Sequence, residues 1–424
     1  MKNNWDFVRL GSIAEFRNGV NFDNSSFGNG LKVINVADFK NRMYPDYESL
    51  GELDSNAKWP KECFLKNGDV IFVRSNGNKA LIGRSIFIKD LPQNYKLTYS
   101  AFCIKLSFIE DVEIEPLFYL YVFKSPLFRG LLSQYGNGTN ISNLNQDILN
   151  NIKVPVTNLI AQQKIASILS AYDDLIENNN ERIKLLEEMA EEIYKEWFVR
   201  LRFPGYQDCK YFDQDGKEVP HGTAGALPEG WEAGEIQDFV ELKKGKIITK
   251  STITDGNVPV VAGGLAPAYY HNTANTCSPT ITISSSGANA GFVNLYYEDI
   301  WVSDCTYLDS EMTHWLYFFY CTFKTRQKEV FHLQRGAAQP HVYSKDIHKL
   351  KMKCPPKKIL NEFEDLISPF FEDIKVLNNK NQLLQETRDL LLPRLISGKL
   401  SVEDLDINKD SLPMAAEPEE NYSK

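Results

Sequence analysis

A chain of 424 residues, 43% hydrophobic and 24% charged with a net charge of −9, is longer than one core usually organises. It reads as an ordinary globular protein of two or three domains. The opening Met1-Lys2-Asn3-Asn4-Trp5-Asp6 has no apolar signal region behind it, and the longest apolar run, Trp315 to Cys321, is far too short to span a membrane. Seven cysteines without a Cys-x-x-Cys pair argue against a zinc module or a disulfide framework, so a reducing cytoplasm is expected. The acidity is local. Residues 158–200 hold five basic against nine acidic side chains and residues 401–424 two against seven, which leaves the rest of the chain near neutral. Charge therefore neither supports nor excludes a nucleic-acid partner.

In chain order, the first predicted unit covers residues 1–154 and mixes strand runs with short helices such as Pro116–Leu132. It contains Trp5-Asp6-Phe7-Val8-Arg9-Leu10, then Val70-Ile71-Phe72-Val73-Arg74-Ser75-Asn76-Gly77, then Gly136-Asn137-Gly138-Thr139-Asn140. Residues 155–203 follow without an internal Gly. Apolar side chains at Ile165, Ile168, Tyr172, Ile183, Leu186, Ala190, Ile193 and Trp197 recur at steps of three and four, interrupted by Asn179. This predicts a helix about 60 Å long, unbroken from Pro155 to Phe203, with a solvated acidic face. Such a helix needs a partner of similar length.

Residues 204–356 hold a linker, Pro204–Gly230, rich in Gly, Pro and Asp, and a second mixed unit with a helical run at Thr313–Phe331. That unit repeats the first. Trp231-Glu232-Ala233-Gly234-Glu235-Ile236 matches the segment from Trp5, and Gly245 matches Gly19. The run from Thr280 matches the run from Val70 at an offset of 210, and Arg335–His341 matches the segment from Gly136. Residues 357–400 repeat the long helix at an offset of 198, setting Ile165 on Phe363, Ile176 on Ile374 and Trp197 on Leu395. Pro369 should kink this second helix or mark a break near its start. Residues 401–424 read as a disordered acidic tail.

Motifs that carry catalysis are missing from the sequence. There is no phosphate-binding Gly-x-x-x-x-Gly-Lys loop, no His-Glu-x-x-His and no Gly-x-Ser-x-Gly. Six histidines show no metal-ligand spacing, so no metal and no cofactor are expected.

The run Ile165-Ala166-Ser167-Ile168-Leu169-Ser170-Ala171-Tyr172-Asp173-Asp174-Leu175-Ile176, with Glu196-Trp197-Phe198-Val199, Leu390-Leu391-Leu392-Pro393-Arg394-Leu395 and Leu227-Pro228-Glu229-Gly230-Trp231, resembles the specificity subunits of type I restriction–modification systems. The resemblance covers the chain to about residue 402. It implies an α/β fold of two target recognition domains separated by a pair of long antiparallel coiled-coil helices, with a pseudo-twofold internal repeat. It also implies a non-catalytic subunit whose two domains each read one half of a bipartite, asymmetric site in double-stranded DNA. The helices would serve as the spacer ruler and as the docking surface for two methyltransferase subunits, with restriction subunits joining through them. Two alternatives stay open: a type IIB or methylation-only system of the same architecture, and a coiled-coil scaffold without DNA.

Candidate DNA contacts are turns with donors suited to phosphates and base edges. In the first domain these are Arg17, Asn18, Arg74, Asn76, Asn78, Lys79, Thr139 and Asn140. In the second they are Lys243, Lys244, Lys246, Ser285, Asn289, Gln339 and His341. Ordinary polar turns would use the same residue types. Tyr194, Trp197 and Phe198 form an apolar band wider than one helix covers, and are expected to face a methyltransferase. If the helices pack antiparallel, facing residues have numbers summing to about 560, which sets the polar interruptions Asn179 and Asn381 together to fix the register.

Overall fold

A computed structural model describes residues 5–39, 42–134, 143–336 and 339–405. The chain forms two compact units: residues 1–177 with 381–424, and residues 178–380.

In the first unit, Asp6–Arg9 pairs antiparallel with Lys153–Val156 and so closes the start of the globular part onto its end. Between them lies a four-stranded antiparallel sheet in the order Ala14–Asn18, Cys103–Phe108, Val70–Val73, Ser85–Phe87. A three-stranded sheet follows the order Gly51–Asp54, Gly30–Ile34, Leu97–Tyr99, with the last pair parallel. Val70–Val73 is buried on both faces because two cores meet on it. Val70 and Phe72 pack with the helices, including Phe118, Phe123 and the long-helix residues Ile165, Leu169 and Leu395. Ile71 and Val73 pack with the three-stranded sheet through Val33 and Tyr99. The predicted helix Pro116–Leu132 is two helices, Pro116–Lys124 and Pro126–Gln134, separated by an extended Ser125. The residue before a proline is pushed out of helical geometry, and Ser125 precedes Pro126.

The second unit repeats this plan. Glu232–Glu235 pairs with Lys351–Cys354. Its four-stranded sheet runs Lys243–Lys244, Cys305–Asp309, Thr280–Ser284, Val293–Tyr296, and its three-stranded sheet Tyr269–His271, Val258–Val261, Trp301–Val302. The strand register corrects the sequence alignment by one residue. Val73 pairs with Cys103 and Ser284 with Cys305, so the offset here is 211 and not 210. The difference matters because one residue moves a strand's side chains to the opposite face. At the true offset Ile281 and Ile283 take the places of Val70 and Phe72 on the helix side. The other face then carries Thr280, Thr282 and Ser284, and the core beyond it is small: Val261, Ile300, Val302 and Cys305.

Residues 204–230 are more than a linker. Tyr211–Phe212, Glu218–Val219 and Leu227–Pro228 form a small sheet on a buried Tyr211.

The first long helix spans Leu159–Tyr194 and ends in a π turn, Lys195–Val199, before Leu201 reverses the chain at φ +58°. Its predicted start was too early, since Pro155 and Val156 belong to the edge strand. The second runs Lys357–Ile396 without a break at Pro369. Pro369 and Asp365, whose carbonyl loses its amide partner there, both face solvent, where water can take the missing bond, and Ser368 donates its hydroxyl to the Glu364 carbonyl (2.6 Å). Within the first unit Arg388 forms an ion pair with Asp173. Within the second, the Trp197 and Phe363 rings lie 5.6 Å apart. The beginning of the predicted tail is ordered, with Val402 buried and its carbonyl, like that of Glu403, accepting from Lys164 Nζ (3.2 and 3.0 Å). Residues 406–424 lie outside the described residues.

Candidate nucleic-acid interface

Each unit gathers its candidate residues around one tight turn. In the first, the turn Ser100–Cys103 is closed by the Cys103 amide on the Ser100 carbonyl (2.9 Å). Gly19 donates to the Cys103 carbonyl (3.2 Å), Val20 to Tyr99 (2.9 Å) and Arg74 to Phe102 (2.8 Å), and Leu144 returns to the Arg74 carbonyl (2.8 Å). Three separate stretches, around residues 18, 74 and 102, are thus locked by backbone bonds. The second unit reproduces them. Gly245 donates to Cys305 (2.8 Å), Lys246 to Val302 (3.0 Å) and Ser285 to Asp304 (3.0 Å), and Val342 returns to Ser285 (2.8 Å).

The matched glycines follow from this geometry. A Cβ on Gly19 would fall inside the carbonyl oxygens of Tyr99 and Ser100, and one on Gly245 inside those of Val302 and Ser303. Only a residue without a side chain lets the strand end approach the turn so closely. The matched cysteines are framework too. Burial pushes the Cys103 and Cys305 thiols up to about 12 each, so neither is a nucleophile. Among the described residues no three His, Cys, Asp or Glu side chains stand where they could hold a metal ion, and no helix is long and apolar enough to cross a membrane. A rigid hub that displays donors is equipped for binding.

A family model described as the type I restriction modification DNA specificity domain matches residues 2–188 and 228–386, one match on each repeat. The chain belongs to this specificity family. It is 27% identical to the type I restriction enzyme MjaIX specificity subunit of Methanocaldococcus jannaschii, over 95% of this chain and 94% of that one. It is 22% identical to the HindI specificity subunit of Haemophilus influenzae, over 93% and 99%. The crystal structure of a type I restriction–modification S subunit from M. genitalium has the same fold, with a TM-score of 0.55 at 16% identity over 93% of this chain and 97% of that one.

Within this specificity-family chain the candidate residues divide by placement. Arg17 and Asn18 are exposed at the strand end beside the first turn. Arg74 is half-buried, and its Nη1 donates to the Ala101 carbonyl (3.4 Å), so its guanidinium lies against the turn. Asn76 and Asn78 use their side-chain oxygens inside their own loop, accepting from the amides of Asn78 (2.8 Å) and Ala80 (3.1 Å), while Lys79 is exposed. Thr139 and Asn140 lie outside the described residues. In the second unit Lys243, Lys244 and Lys246 are exposed along one strand and the residues after it. Ser285, the counterpart of Arg74, is buried at 3% exposure and presents no side chain to a ligand. Asn289 donates to the Gly263 carbonyl (3.4 Å). Gln339 is exposed, and His341 is bridged by backbone to Arg335 and Ser286 with its ring 4.5 Å from that of Tyr343.

The aromatic band has its cover inside the chain, which corrects the expected interface. Tyr194 and Phe198 are buried, and Phe198 packs edge-on against Phe318 (4.9 Å) and Phe363 (4.7 Å). The Tyr194 hydroxyl shares a hydrogen bond with Thr322 (3.1 Å), and Trp197 rests on Phe363. The recognition domain's own helix covers the width that a second long helix leaves. Besides Ile160 at the start of the first helix, the apolar side chains that the helices expose include Leu185 and Met189 on the first and Leu383 and Leu390 on the second, each at least half accessible. The sequence reading missed these four as surface, and missed Phe102, 61% exposed on the first hub turn. The apolar run Tyr99-Ser100-Ala101-Phe102-Cys103 carries no turn signal to mark it.

Proposed function

We propose that this chain is the DNA-specificity subunit of a type I restriction–modification complex, with each globular part a target recognition domain reading one half of a bipartite, asymmetric site. One observation carries the reading. The two hubs share four backbone bonds, although the second turn is one residue shorter, and carry different side chains on them: Arg74-Ser75-Asn76 and Phe102 in one, Ser285-Ser286-Gly287 and Asp304 in the other. A shared framework with different donors suits two half-sites of unequal sequence.

The long helices act in this proposal as an antiparallel, pseudo-twofold coiled-coil ruler. The Asp173–Arg388 and Trp197–Phe363 contacts, each within its own unit, support the expected register, and Asn179 and Asn381, both buried, keep their proposed role in fixing it. Leu185 and Met189 on the first helix, and separately Leu383 and Leu390 on the second, are the proposed docking surfaces for two methyltransferase subunits, in place of Tyr194, Trp197 and Phe198. An exposed apolar stripe on a helix marks a surface awaiting a partner. Restriction subunits join through the methyltransferases.

The test is to co-express the chain with a methyltransferase subunit and sequence the methylated bases. A split, asymmetric motif with a fixed spacer is expected, and exchange of residues 1–154 for those of a relative should alter one half alone. A change in both halves, or in the spacer, refutes the modular reading.

A further inference from the structure

Phe102 is a large apolar side chain that the first hub turn sends into solvent, 61% exposed, and the backbone fixes that placement. Every carbonyl of the turn around it is taken. Ser100 accepts from Cys103, Ala101 from the Arg74 guanidinium, and Phe102 from the amides of Arg74 (2.8 Å) and Ser75 (3.3 Å). The Ala101 amide is held by Val20 (2.8 Å). The ring therefore stands on a turn that cannot fold back to bury it, and among the described residues no other ring packs on it. The turn is bonded to Arg74 and to the strand end that carries the exposed Arg17 and Asn18. An aromatic ring on a rigid mount among cationic and amide donors is the combination that meets nucleic-acid bases: the donors take phosphates and base edges, the ring an apolar base surface. The second hub has Asp304 at this position, and its carboxylate accepts from the Ser286 hydroxyl. An aromatic ring at this turn position thus belongs to the first hub alone.

We propose that Phe102 is an apolar base contact and specificity determinant of the first recognition domain. This rests on the DNA-reading function proposed above. Ring and base can meet in two ways, against a thymine methyl in the major groove or as a wedge between two base pairs.

The experiment uses the complex with co-expressed methyltransferase and labelled duplexes carrying the motif mapped from the methylated bases. Phe102→Ala is expected to weaken binding by about 10-fold or more, with the thermal midpoint unchanged because the side chain is exposed. Discrimination should be lost at positions of the first half-site and kept at the second, and Phe102→Leu should recover part of it. Replacing thymines by deoxyuridine distinguishes the methyl contact, and 2-aminopurine, which brightens when unstacked, distinguishes the wedge. Either response, present in the wild type and absent from Phe102→Ala, supports the proposal. Wild-type affinity and discrimination in Phe102→Ala overturn it, as does an affinity loss with neither response. If the wild-type complex shows no preference for the mapped duplex, the DNA-reading function fails first and this inference falls with it.

Discussion

Asp173 joins three elements of the first unit. Its Oδ2 accepts from the Tyr121 hydroxyl (2.6 Å) on helix Pro116–Lys124, and its Oδ1 pairs with Arg388 of the second long helix. The two charged side chains are only 10% and 23% exposed. Burial and the carboxylate together raise the Tyr121 hydroxyl far above its ordinary range, so it remains a donor at any working pH. Arg388→Met should leave the carboxylate with the Tyr121 hydroxyl and the attraction of the nearby Lys124 ammonium. Breaking a fully buried pair costs about 3–5 kcal/mol, and the remaining hydroxyl lowers the expected loss to about 2–3 kcal/mol. Asp173→Asn should cost less, about 1–2 kcal/mol, because Arg388 still holds the exposed Asp389 (2.9 Å). In the double variant the losses should fall short of additive by about 1 kcal/mol or more. Urea unfolding of the full chain at neutral pH, followed by tryptophan fluorescence, measures all three. Additive effects, or single losses below about 0.5 kcal/mol, would show a surface pair of no consequence and refute the reasoning.

Three further outcomes are expected. Burial lifts the Glu364 carboxyl up to about 7, although the amides of Tyr317 and Phe318 donate to it (2.9 and 3.1 Å) and pull it down. The folded chain therefore holds this proton more tightly than the unfolded one. The stability it contributes is complete below the ordinary carboxylate range and is lost as pH rises through 7, a fall of order 1–3 kcal/mol that Glu364→Gln should abolish; an unchanged pH slope in that variant would contradict this. Gly245→Ala should cost about 1–3 kcal/mol by driving a methyl into the Val302 and Ser303 carbonyls, and should blur recognition of the second half-site while the first survives, both readable from melting and competition binding. Replacing Lys243, Lys244 and Lys246 by Ala should reduce the salt dependence of DNA binding by about 0.9 in log–log slope for each phosphate that a lysine had neutralised; a slope equal to the wild type would place the three lysines away from the backbone.

The architecture was legible because it is written in periods. Steps of three and four mark both long helices, and the offset of 198 marks the second as a copy of the first, whatever packs against them. Gly19 and Gly245 matched across the repeat because each sits where a carbonyl leaves no room for a side chain, a constraint that acts on the residue itself. The family resemblance rested on those same helices. A local signal also misled where solvent exposure decided the outcome. Pro369 looks like a break, yet the helix continues because its exposed face lets water take the bond that proline forfeits.

Exposure was the property that sequence did not contain. Tyr194, Trp197 and Phe198 read as surplus apolar width until the helix carrying Phe318, more than a hundred residues away, covered them. Ser285 read as a displayed hydroxyl, and Phe102 was not singled out at all, because a strand's inward and outward faces differ by a single residue. Only pairing of Val73 with Cys103 and Ser284 with Cys305 settles which face is which. Composition and spacing determined which residues this chain owns and which elements they form. The long-range strand register and the docking of helices onto sheets decided which of them water, and a duplex, can reach.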